Sequence, residues 1–399
     1  FPKHPYTLWI LEPLIGRAIF SVNGEEWARQ RHLIDQVFQV ASLKRVFPAM
    51  ADATRSLLDR LYLKEGESWV DIDEEMTMVT ADVIVRTILG RPLEQGESEE
   101  IFKAFSRYQR RAGRALVLRF LRLPKGLLQR SLQRDAAVIR HWIQALIHDR
   151  LQRHNVHPLN PSKPVDLLDI LITARDVRTH KSFSEQELVD QVCFLFLAGH
   201  ETSASSLGTC AWLLSLAPEE QERMRKEVFS IVHDRPSNAM LAFDDIRQLP
   251  YCEAVFNEAL RLYPPVSFFI REREQSSTKL VVSGGERRCP VGSLLTLSPW
   301  VIQRHEKHWP KPNEFRPERF LEADEGRWHR DAFLPFGMGS RKCPGASFAK
   351  QEAVLVLAEL VRRYELLPMP GHQPDFVGLL TLRSRNGIQL RLRRLEHKA

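Results

Sequence analysis

One cysteine of the chain stands in a loop whose composition suits a stabilised thiolate. In the stretch 335–345 two glycines precede Cys343 and Gly345 follows it, so the backbone can closely approach a flat, bulky group. Backbone N–H groups of such a loop can point at the sulfur, the following helix presents its positive end there, and Arg341 supplies a fixed cation. The alternative is an inert, buried cysteine in a glycine-rich turn.

An acid and an alcohol, Glu201 and Thr202, stand side by side in the middle of an apolar helical stretch. Glycine and threonine both cost stability inside a helix, and threonine can bond a carbonyl one turn back and open the helix locally. An acid beside an alcohol in such surroundings can relay protons. The alternative is a packing notch at Gly199 with Glu201 held in a salt bridge.

Two further groups of residues combine charge with helical spacing. Glu258 and Arg261 place opposite charges on one helix face, and their apolar neighbours predict partial burial. Trp27 and Arg31 share a face of an earlier helix. Taken alone, these patterns also fit a solvated ion pair and an amphipathic surface helix with a packed tryptophan.

The composition describes a chain that can bury a large core. Its 399 residues are 43% apolar and 27% charged, which excludes a disordered, collagen-like or low-complexity protein. The net charge of +7 suits an acidic protein partner, an anionic cofactor or weak nucleic-acid contact. The five cysteines lie far apart, which argues against a disulfide framework or a CxxC zinc site and favours a reducing compartment.

No segment has the pattern of a signal peptide or a membrane span. The most apolar stretch, 192–217, contains His200, Glu201 and several serines, which predicts a buried helix. The chain begins at Phe1 without an initiator methionine. We therefore expect a cytoplasmic, bacterial protein and leave an N-terminal membrane anchor ahead of Phe1 as an open alternative.

The elements that position these residues are mostly helical. Helical spacing predicts a helix over 25–63 that breaks at Pro48, and the capping box Ser184-x-x-Glu187 opens a helix to about 217. Pro218 and Pro250 begin two more helices. Other predicted helices cover 74–89, 99–121, 126–154 and 346–366, and two predicted hairpins pair 279–282 with 293–297 and join two strands at Asn386-Gly387. The prediction is one mainly α domain, 1–399, with small β sheets.

The motifs, in this order, resemble those of the cytochrome P-450 family. Phe336-x-x-Gly339-x-Arg341-x-Cys343-x-Gly345 matches the family's heme-binding signature at every fixed position. The resemblance covers about residue 20 to the C-terminus, and the family's leading strands and first helix are absent or precede residue 1. It implies a cytochrome P-450-like fold with a long central helix over a heme.

The resemblance implies a role for each residue of the cysteine loop. Cys343 would be the axial thiolate ligand of the heme iron, which favours cleavage of the O–O bond. Phe336 would pack near the sulfur, Arg341 would bind a heme propionate, and Gly345 completes the signature.

It also implies further propionate contacts. Trp27 and Arg31 are similar to the family's propionate-binding helix. Arg271, which follows Pro264-Pro265, matches another propionate position, and Arg273 is its rival because a slip of two residues keeps the same strand face.

The family's oxygen-activation motif and its structural ion pairs have counterparts as well. Glu201 and Thr202 would deliver protons to bound oxygen. Glu258, Arg261 and Arg319 would form a structural ion-pair set beside the cysteine loop.

The substrate pocket is predicted on weaker grounds. Helix spacing back from Thr202 suggests Ala198 and either Phe194 or Leu195, and two downstream segments match substrate-contact regions of the family. The pocket residues predicted in this way are Phe194, Ala198, Val266, Phe268 and Leu380, with core packing as the alternative for each.

The implied activity is that of a heme-thiolate monooxygenase that activates O2 with two externally supplied electrons and hydroxylates a hydrophobic small molecule. The implied cofactor is heme b. We find no GxGxxG after a strand, so no flavin or nicotinamide is expected on this chain. A ferredoxin or flavodoxin-type donor, or a separate reductase, would supply electrons to a monomer, through a basic face formed by Arg29, Arg330, Lys342 and Lys350.

Two alternatives remain at this stage. One is a heme-thiolate peroxygenase that uses hydrogen peroxide directly, against which the Glu201–Thr202 pair argues. The other is a non-enzymatic helical binding protein with a structural cysteine, of which a nucleic-acid binder is one form. We expect no nucleic-acid partner.

Overall fold

Helices make up most of the protein, as the sequence predicts. The computed structural model describes residues 2–4, 8–121, 123–156, 164–236, 238–273, 280–282, 285–287, 289–321, 330–378 and 380–395. Its helices are α1 (Glu12–Ile15), α2 (Gly24–Val37), α3 (Val40–Leu63), α4 (Ile72–Leu89), α5 (Gln95–Phe120), α6 (Lys125–Val156), α7 (Leu167–Thr173), α8 (Glu185–Ser215), α9 (Pro218–Val232), α10 (Pro250–Leu262), α11 (Pro299–Ile302) and α12 (Ala346–Arg363).

The strands are short and antiparallel, and they form small sheets beside the helices. They are β1 (Val70–Asp71), β2 (Phe269–Glu272), β3 (Leu280–Val282), β4 (Gly285–Arg287), β5 (Leu294–Leu297), β6 (Tyr364–Pro368), β7 (Phe376–Gly378), β8 (Leu382–Ser384) and β9 (Gln389–Arg394). One sheet has the order β1-β9-β6, and three strand pairs are β2-β5, β3-β4 and β7-β8.

The central helix α8 begins where its capping box requires. The Ser184 hydroxyl accepts from the Glu187 N–H at 3.3 Å, and the Glu187 carboxylate accepts from the Ser184 N–H at 2.9 Å. Helix α4 packs along α8 and ends at Gly90, whose φ of +69° suits glycine. A Cβ on Gly199 of α8 would lie 2.3 Å from Ile84 Cδ1 of α4, so this glycine is the packing notch that allows the two helices to approach.

The predicted helix break at Pro48 is wrong. The chain breaks at Phe38–Gln39 instead, and Pro48 lies inside α3. A proline removes one hydrogen bond from a helix. The buried residues on both sides of it, among them Phe47 and Met50, keep this face of the helix packed in the core.

Both predicted hairpins pair differently from expectation. Strand β3 pairs with β4, the next strand along the chain, and β5 pairs with the earlier strand β2. Asn386-Gly387 does form a turn, with Gly387 at φ +73°. However, the strands on its two sides belong to different sheets, because β8 pairs with β7 and β9 pairs with β1 and β6.

Helix α12 follows the cysteine loop and packs against α3, α8, α9 and α10. All of its residues from Glu352 to Arg362 are buried, and it ends at Arg363, whereas the predicted helix runs three residues further. None of the helices within the described residues is long and apolar enough to cross a bilayer.

Candidate active site

Cys343 lies between a short 3-10 turn, Gly339–Arg341, and the N-terminus of α12. Its N–H donates to the carbonyl of Phe336 at 2.9 Å, which folds the loop back on itself. Gly337 and Gly339 both have φ of +67°, a conformation that strongly favours glycine. The loop thus leaves Cys343 exposed while its backbone is fixed.

The surroundings of the sulfur act on its ionisation in opposite directions. Although Cys343 is exposed, desolvation by the nearby protein raises the pKa of its thiol. The N–H of Gly345 and the positive charges of Arg31 and Lys342 act to lower it. A metal ion would complete the deprotonation, because a coordinating thiol loses its proton outright.

Arg31 is placed against the cysteine loop. Its Nη1 donates to the Lys342 carbonyl at 2.6 Å, and its Nε donates to Asp35 at 2.8 Å. The guanidinium therefore connects α2 to the residue that precedes Cys343.

Arg341 reaches in the opposite direction, into a group of cations. Its Nη2 donates to the Val22 carbonyl at 3.0 Å and to Asn23 Oδ1 at 2.6 Å, and its guanidinium lies 4.4 Å from the centre of the Trp27 ring. Burial and the charge of Arg271 lower the pKa of Arg341 to about 10. Its Nη1 is buried and has no hydrogen-bond partner within the described residues.

Lys3 belongs to the same group, and sequence reasoning missed it. Burial, together with the charges of Arg271 and Arg341, lowers the pKa of the Lys3 amine well below its usual value. Asn23 holds the segment in place, since its side chain exchanges hydrogen bonds with the backbone of Lys3 at 3.1 and 3.2 Å. Lys3 lies in an irregular, proline-rich segment where no local pattern indicates a site.

These residues fit a flat group that carries a metal and two carboxylates. Lys3, Arg271 and Arg341 form a cluster of positive charge for which the described residues provide no ion pair with an acid, and the buried Nη1 of Arg341, unpartnered among those residues, requires an acceptor. Of the two rival arginines, Arg271 is the one whose charge acts on Arg341 and Lys3. Arg273 is buried next to β5, where its N–H donates to the Ser293 carbonyl.

On the central helix, the Thr202 hydroxyl donates to the Ala198 carbonyl one turn back at 2.7 Å. Glu201 is 2% exposed, and its Oε1 accepts from the Thr381 hydroxyl at 2.7 Å and lies 3.6 Å from Arg383 Nε. Burial opposes the ionisation of Glu201, yet the charge of Arg383 and the hydrogen bonds from Thr381 and Gln109 hold its pKa below the usual value.

His200, for which the sequence assigns no role, is fully buried between Phe105 and Phe196. Its Nδ1 lies 2.5 Å from the Phe196 carbonyl. Burial lowers the pKa of His200, so its imidazole is neutral near pH 7.

The structure brings Glu258, Arg261 and Arg319 together. Arg261 forms a two-bond pair with Glu258 at 2.7 and 2.8 Å, and Arg319 Nε donates to the same carboxylate at 3.1 Å. The Arg261 guanidinium also donates to three backbone carbonyls, those of Gln303, Pro312 and Glu314. The side chain of Gln303 then bonds the Leu334 N–H at 2.8 Å, one residue before the cysteine loop.

The predicted pocket residues differ in exposure. Phe194 and Ala198 are half-buried on one face of α8, whereas Leu195 is buried in the core. Phe194 stacks on Phe20 with ring centres 5.5 Å apart. The remaining three are half-buried or exposed: Leu380, Val266 (37% exposed) and Phe268 (52% exposed).

The predicted basic face is partly neutralised. Arg29 pairs with Glu187, and Lys350 pairs with Glu253 at 2.5 Å. Lys342 is exposed, and the side chain of Arg330 lies outside the described part of the chain.

The fold and the site define a heme-thiolate enzyme. The chain belongs to the cytochrome P450 family, whose model, Cytochrome P450, matches residues 3–389.

The chain is similar to several mammalian proteins over almost its whole length. It is 31% identical over 411 residues to Cytochrome P450 4A12 of Rattus norvegicus, and the alignment covers 99% of this chain and 78% of that protein. It is 30% identical over 413 residues to Taurochenodeoxycholic 6 alpha-hydroxylase of Sus scrofa, covering 99% of this chain and 79% of the relative.

Solved structures agree with the fold. A crystal structure of a cytochrome P450 (CYP102L1) superposes with a TM-score of 0.86 at 25% identity, covering 99% of this chain and 85% of that one. The cytochrome P450DA heme domain gives 0.85 at 22% identity, covering 98% and 83%, and shows the fold alone.

Membership of this family establishes the activity. The protein is an oxidoreductase that binds heme iron and acts as a heme-thiolate monooxygenase, with electrons from a donor protein and hydrophobic molecules as substrates. The peroxygenase alternative is not favoured, and the non-enzymatic alternative is wrong.

The prediction of a cytoplasmic, bacterial protein is also wrong. The relatives named above come from rat and pig, and a further one, Cytochrome P450 4A10, comes from Mus musculus at 30% identity over 99% of this chain and 78% of that protein. The expectation rested on the absence of a signal peptide or membrane span and on motifs of cofactor binding and oxygen chemistry, which carry no information on source or compartment.

Proposed function

We propose that Cys343 would supply the thiolate ligand of the heme iron, with Phe336 packed near the sulfur. The observation that carries this proposal is the loop itself, in which the Cys343–Phe336 backbone bond and two left-handed glycines leave the thiol exposed on a fixed backbone. The N–H of Gly345 and the charge of Arg31 favour the thiolate.

The group that fits is heme b, bound in a single domain that spans 1–399 and carries no flavin or nicotinamide. Arg341, Arg271 and Lys3 would hold its propionates, and Trp27 would fix the Arg341 guanidinium by stacking. Arg31 would act on the loop through the Lys342 carbonyl. Support comes from the unpartnered N–H of Arg341, which a carboxylate oxygen would satisfy.

When bound, the heme supplies the activation of O2 and the oxidation of a C–H bond. The protein holds the proton path. The Thr202 hydroxyl donates to the Ala198 carbonyl and is placed to pass protons, while the buried Glu201 carboxylate would take up protons and hand them on.

The substrate would be a hydrophobic small molecule bound against Phe194, Ala198, Val266, Phe268 and Leu380. These side chains are all apolar, and each retains some exposure. The name of the pig relative, a taurochenodeoxycholic 6 alpha-hydroxylase, makes steroid acids the first class to test.

The electron donor would be a ferredoxin, a flavodoxin-type protein or a separate reductase that binds a monomer of this chain. Lys342 is exposed directly beside Cys343 and offers a positive contact. The pairing of Arg29 and Lys350 with acids makes this surface less basic than the sequence predicts.

The thiolate assignment is tested by the absorption spectrum of the reduced, carbon-monoxide-bound protein. We expect a strongly red-shifted Soret band in wild type and its loss in Cys343→Ser. Cys289→Ser, which changes another partly exposed cysteine, is the matched control and should retain the band. A red-shifted band that persists in Cys343→Ser would contradict the assignment, and a folded, heme-supplied wild type without a heme band would contradict heme binding itself.

A further inference from the structure

Glu201 is held by a hairpin distant in sequence. Its Oε1 accepts from the Thr381 hydroxyl at 2.7 Å and lies 3.6 Å from Arg383 Nε. Within the described residues it makes no hydrogen bond to Thr202, whose hydroxyl donates to Ala198. The orientation of the acid in the proposed proton path therefore depends on strand β8 and the residue before it.

Arg383 is itself fixed by helix α4. Its Nη2 donates to Thr77 Oγ1 at 2.7 Å, and its Nη1 lies 3.3 Å from Asp73 Oδ1. One guanidinium is thus shared between two acids on different helices. Burial raises the pKa of Asp73 to about 6 despite the charge of Arg383, whereas burial of Glu201 is outweighed by Arg383 together with its hydrogen-bond donors, and the pKa of Glu201 is lowered.

The remaining neighbours of Glu201 cannot replace this cation. His200 Nε2 lies 3.9 Å from Oε2, but burial keeps the imidazole neutral. Gln109 of α5 supplies a neutral hydrogen bond. Among the groups that face this carboxylate within the described residues, Arg383 carries the permanent positive charge.

The same hairpin forms part of the predicted substrate wall. Leu380 precedes Thr381, and the Leu382 N–H donates to the Pro265 carbonyl at 2.9 Å, next to Val266. The Ser205 hydroxyl of α8 donates to the Leu382 carbonyl at 2.5 Å. The backbone that holds Thr381 and Arg383 is therefore tied both to the central helix and to the pocket segment.

We propose that Arg383 and Thr381 are positioning residues that fix the orientation and charge of the Glu201 carboxylate and link the substrate-side hairpin to proton delivery. This inference rests on the proposed role of Glu201. A substrate that contacts Leu380 would act on the residue next to Thr381, whose hydroxyl donates to Glu201. Substrate binding in the pocket is thereby connected to the orientation and charge of the Glu201 carboxylate through the backbone of residues 380–383.

The first test measures the carboxylate directly. Difference infrared spectra of heme-loaded protein against Glu201→Gln isolate the Glu201 carboxyl band, and its pH titration gives the pKa. We expect Arg383→Gln to raise this pKa by at least about one unit, since an opposite charge at this range shifts a carboxyl by about 1–3 units. Arg383→Lys should shift it less, and Thr381→Val should shift it in the same direction.

Arg385→Gln is the matched control, because Arg385 lies on the same hairpin with a 71% exposed side chain paired to Asp375. It should leave the titration unchanged. Equal titrations in Arg383→Gln and Arg385→Gln would overturn the proposal. If Arg383→Gln does not fold, Arg383→Lys and Thr381→Val decide it, and wild-type titrations in both would overturn it.

The second test asks separately whether Glu201 delivers protons and whether Arg383 and Thr381 affect that delivery. With substrate and electron donor, the hydrogen peroxide released per electron pair should rise in Glu201→Gln, Arg383→Gln and Thr381→Val. If Glu201→Gln releases no more peroxide than wild type, proton delivery by Glu201 fails, and the link to it is overturned. In that case the infrared titrations still decide whether Arg383 and Thr381 control the carboxylate.

Discussion

Glu258 on α10 and Glu352 on α12 are both fully buried, but the protein surrounds their carboxyl groups with opposite kinds of partners. Glu258 is surrounded by Arg261 and Arg319 and also accepts from the Arg316 N–H at 2.9 Å. Glu352 has the Ser203 hydroxyl at 2.6 Å, and its other oxygen has no hydrogen-bond partner within the described residues. Burial raises the pKa of Glu352 to about 8.

The difference shows that burial alone does not decide whether an acid is charged. Two guanidinium groups compensate the lost hydration of Glu258, and a network of this kind holds α10 to the segment before the cysteine loop. One hydroxyl cannot compensate a charge, so Glu352 stays protonated near pH 7 and joins α12 to α8 as a neutral group.

The largest loss of stability is expected at Glu258, where three charged side chains are buried together. Glu258→Gln leaves Arg261 and Arg319 buried without their counter-ion, which should lower the free energy of unfolding by about 3–5 kcal/mol. Chemical denaturation of the heme-loaded protein measures it. Glu253→Gln removes a surface pair from the same helix and should cost less than about 1 kcal/mol. Similar losses in both variants would contradict the comparison.

The next effect is a dependence on pH at Glu352. Folding raises the pKa of this acid from 4.5 to about 8, so the folded protein holds a proton that the unfolded chain has lost within that window, and stability falls as pH rises through it. Relative to Glu352→Gln, wild type should lose about 2–3 kcal/mol between pH 6 and 8, at about 1.4 kcal/mol per pH unit. Denaturation midpoints of both proteins at pH 6, 7 and 8 measure this loss, and parallel pH curves would show that Glu352 ionises normally.

The smallest effect concerns the hydroxyl that Glu352 retains. Ser203→Ala removes the hydrogen bond and should cost about 1–2 kcal/mol, because the buried carboxyl then lacks its described partner. Ser206→Ala is the matched control, since this buried serine on the same helix donates only to the Thr202 carbonyl among the bonds described. Unfolding free energies at pH 6, where Glu352 is neutral, compare the two, and an equal cost would remove any special role for Ser203.

Local sequence signals predicted the elements well. The capping box at Ser184, the glycine after α4 and the prolines that begin α9 and α10 each act within one helical turn, and the structure confirms them. The cysteine loop was recognisable for the same reason, since its motif is contiguous. Pro48 misled because burial of the surrounding helix outweighs one missing backbone bond.

Contacts between residues distant in the chain could not be predicted from the sequence. Thr381 lies 180 positions from Glu201, and Ser203 lies 149 positions from Glu352. No period or spacing connects such pairs, and a serine or threonine has no distinctive pattern of its own. The strand pairings failed likewise, because local turn signals do not reveal which earlier strand offers a free edge.

The hydrogen bonds that fix the cysteine loop also determine when, during synthesis of the chain, the loop can be completed. Arg31 lies 311 positions before the Lys342 carbonyl that it holds, and Asn23 lies 318 positions before Arg341. Because the chain is synthesised from its N-terminus, Asn23 and Arg31 leave the ribosome roughly 310 residues before the loop does. The cysteine loop can therefore be completed only after residue 342 has been synthesised, and a chain interrupted before residue 341 leaves Asn23 and Arg31 without these loop partners.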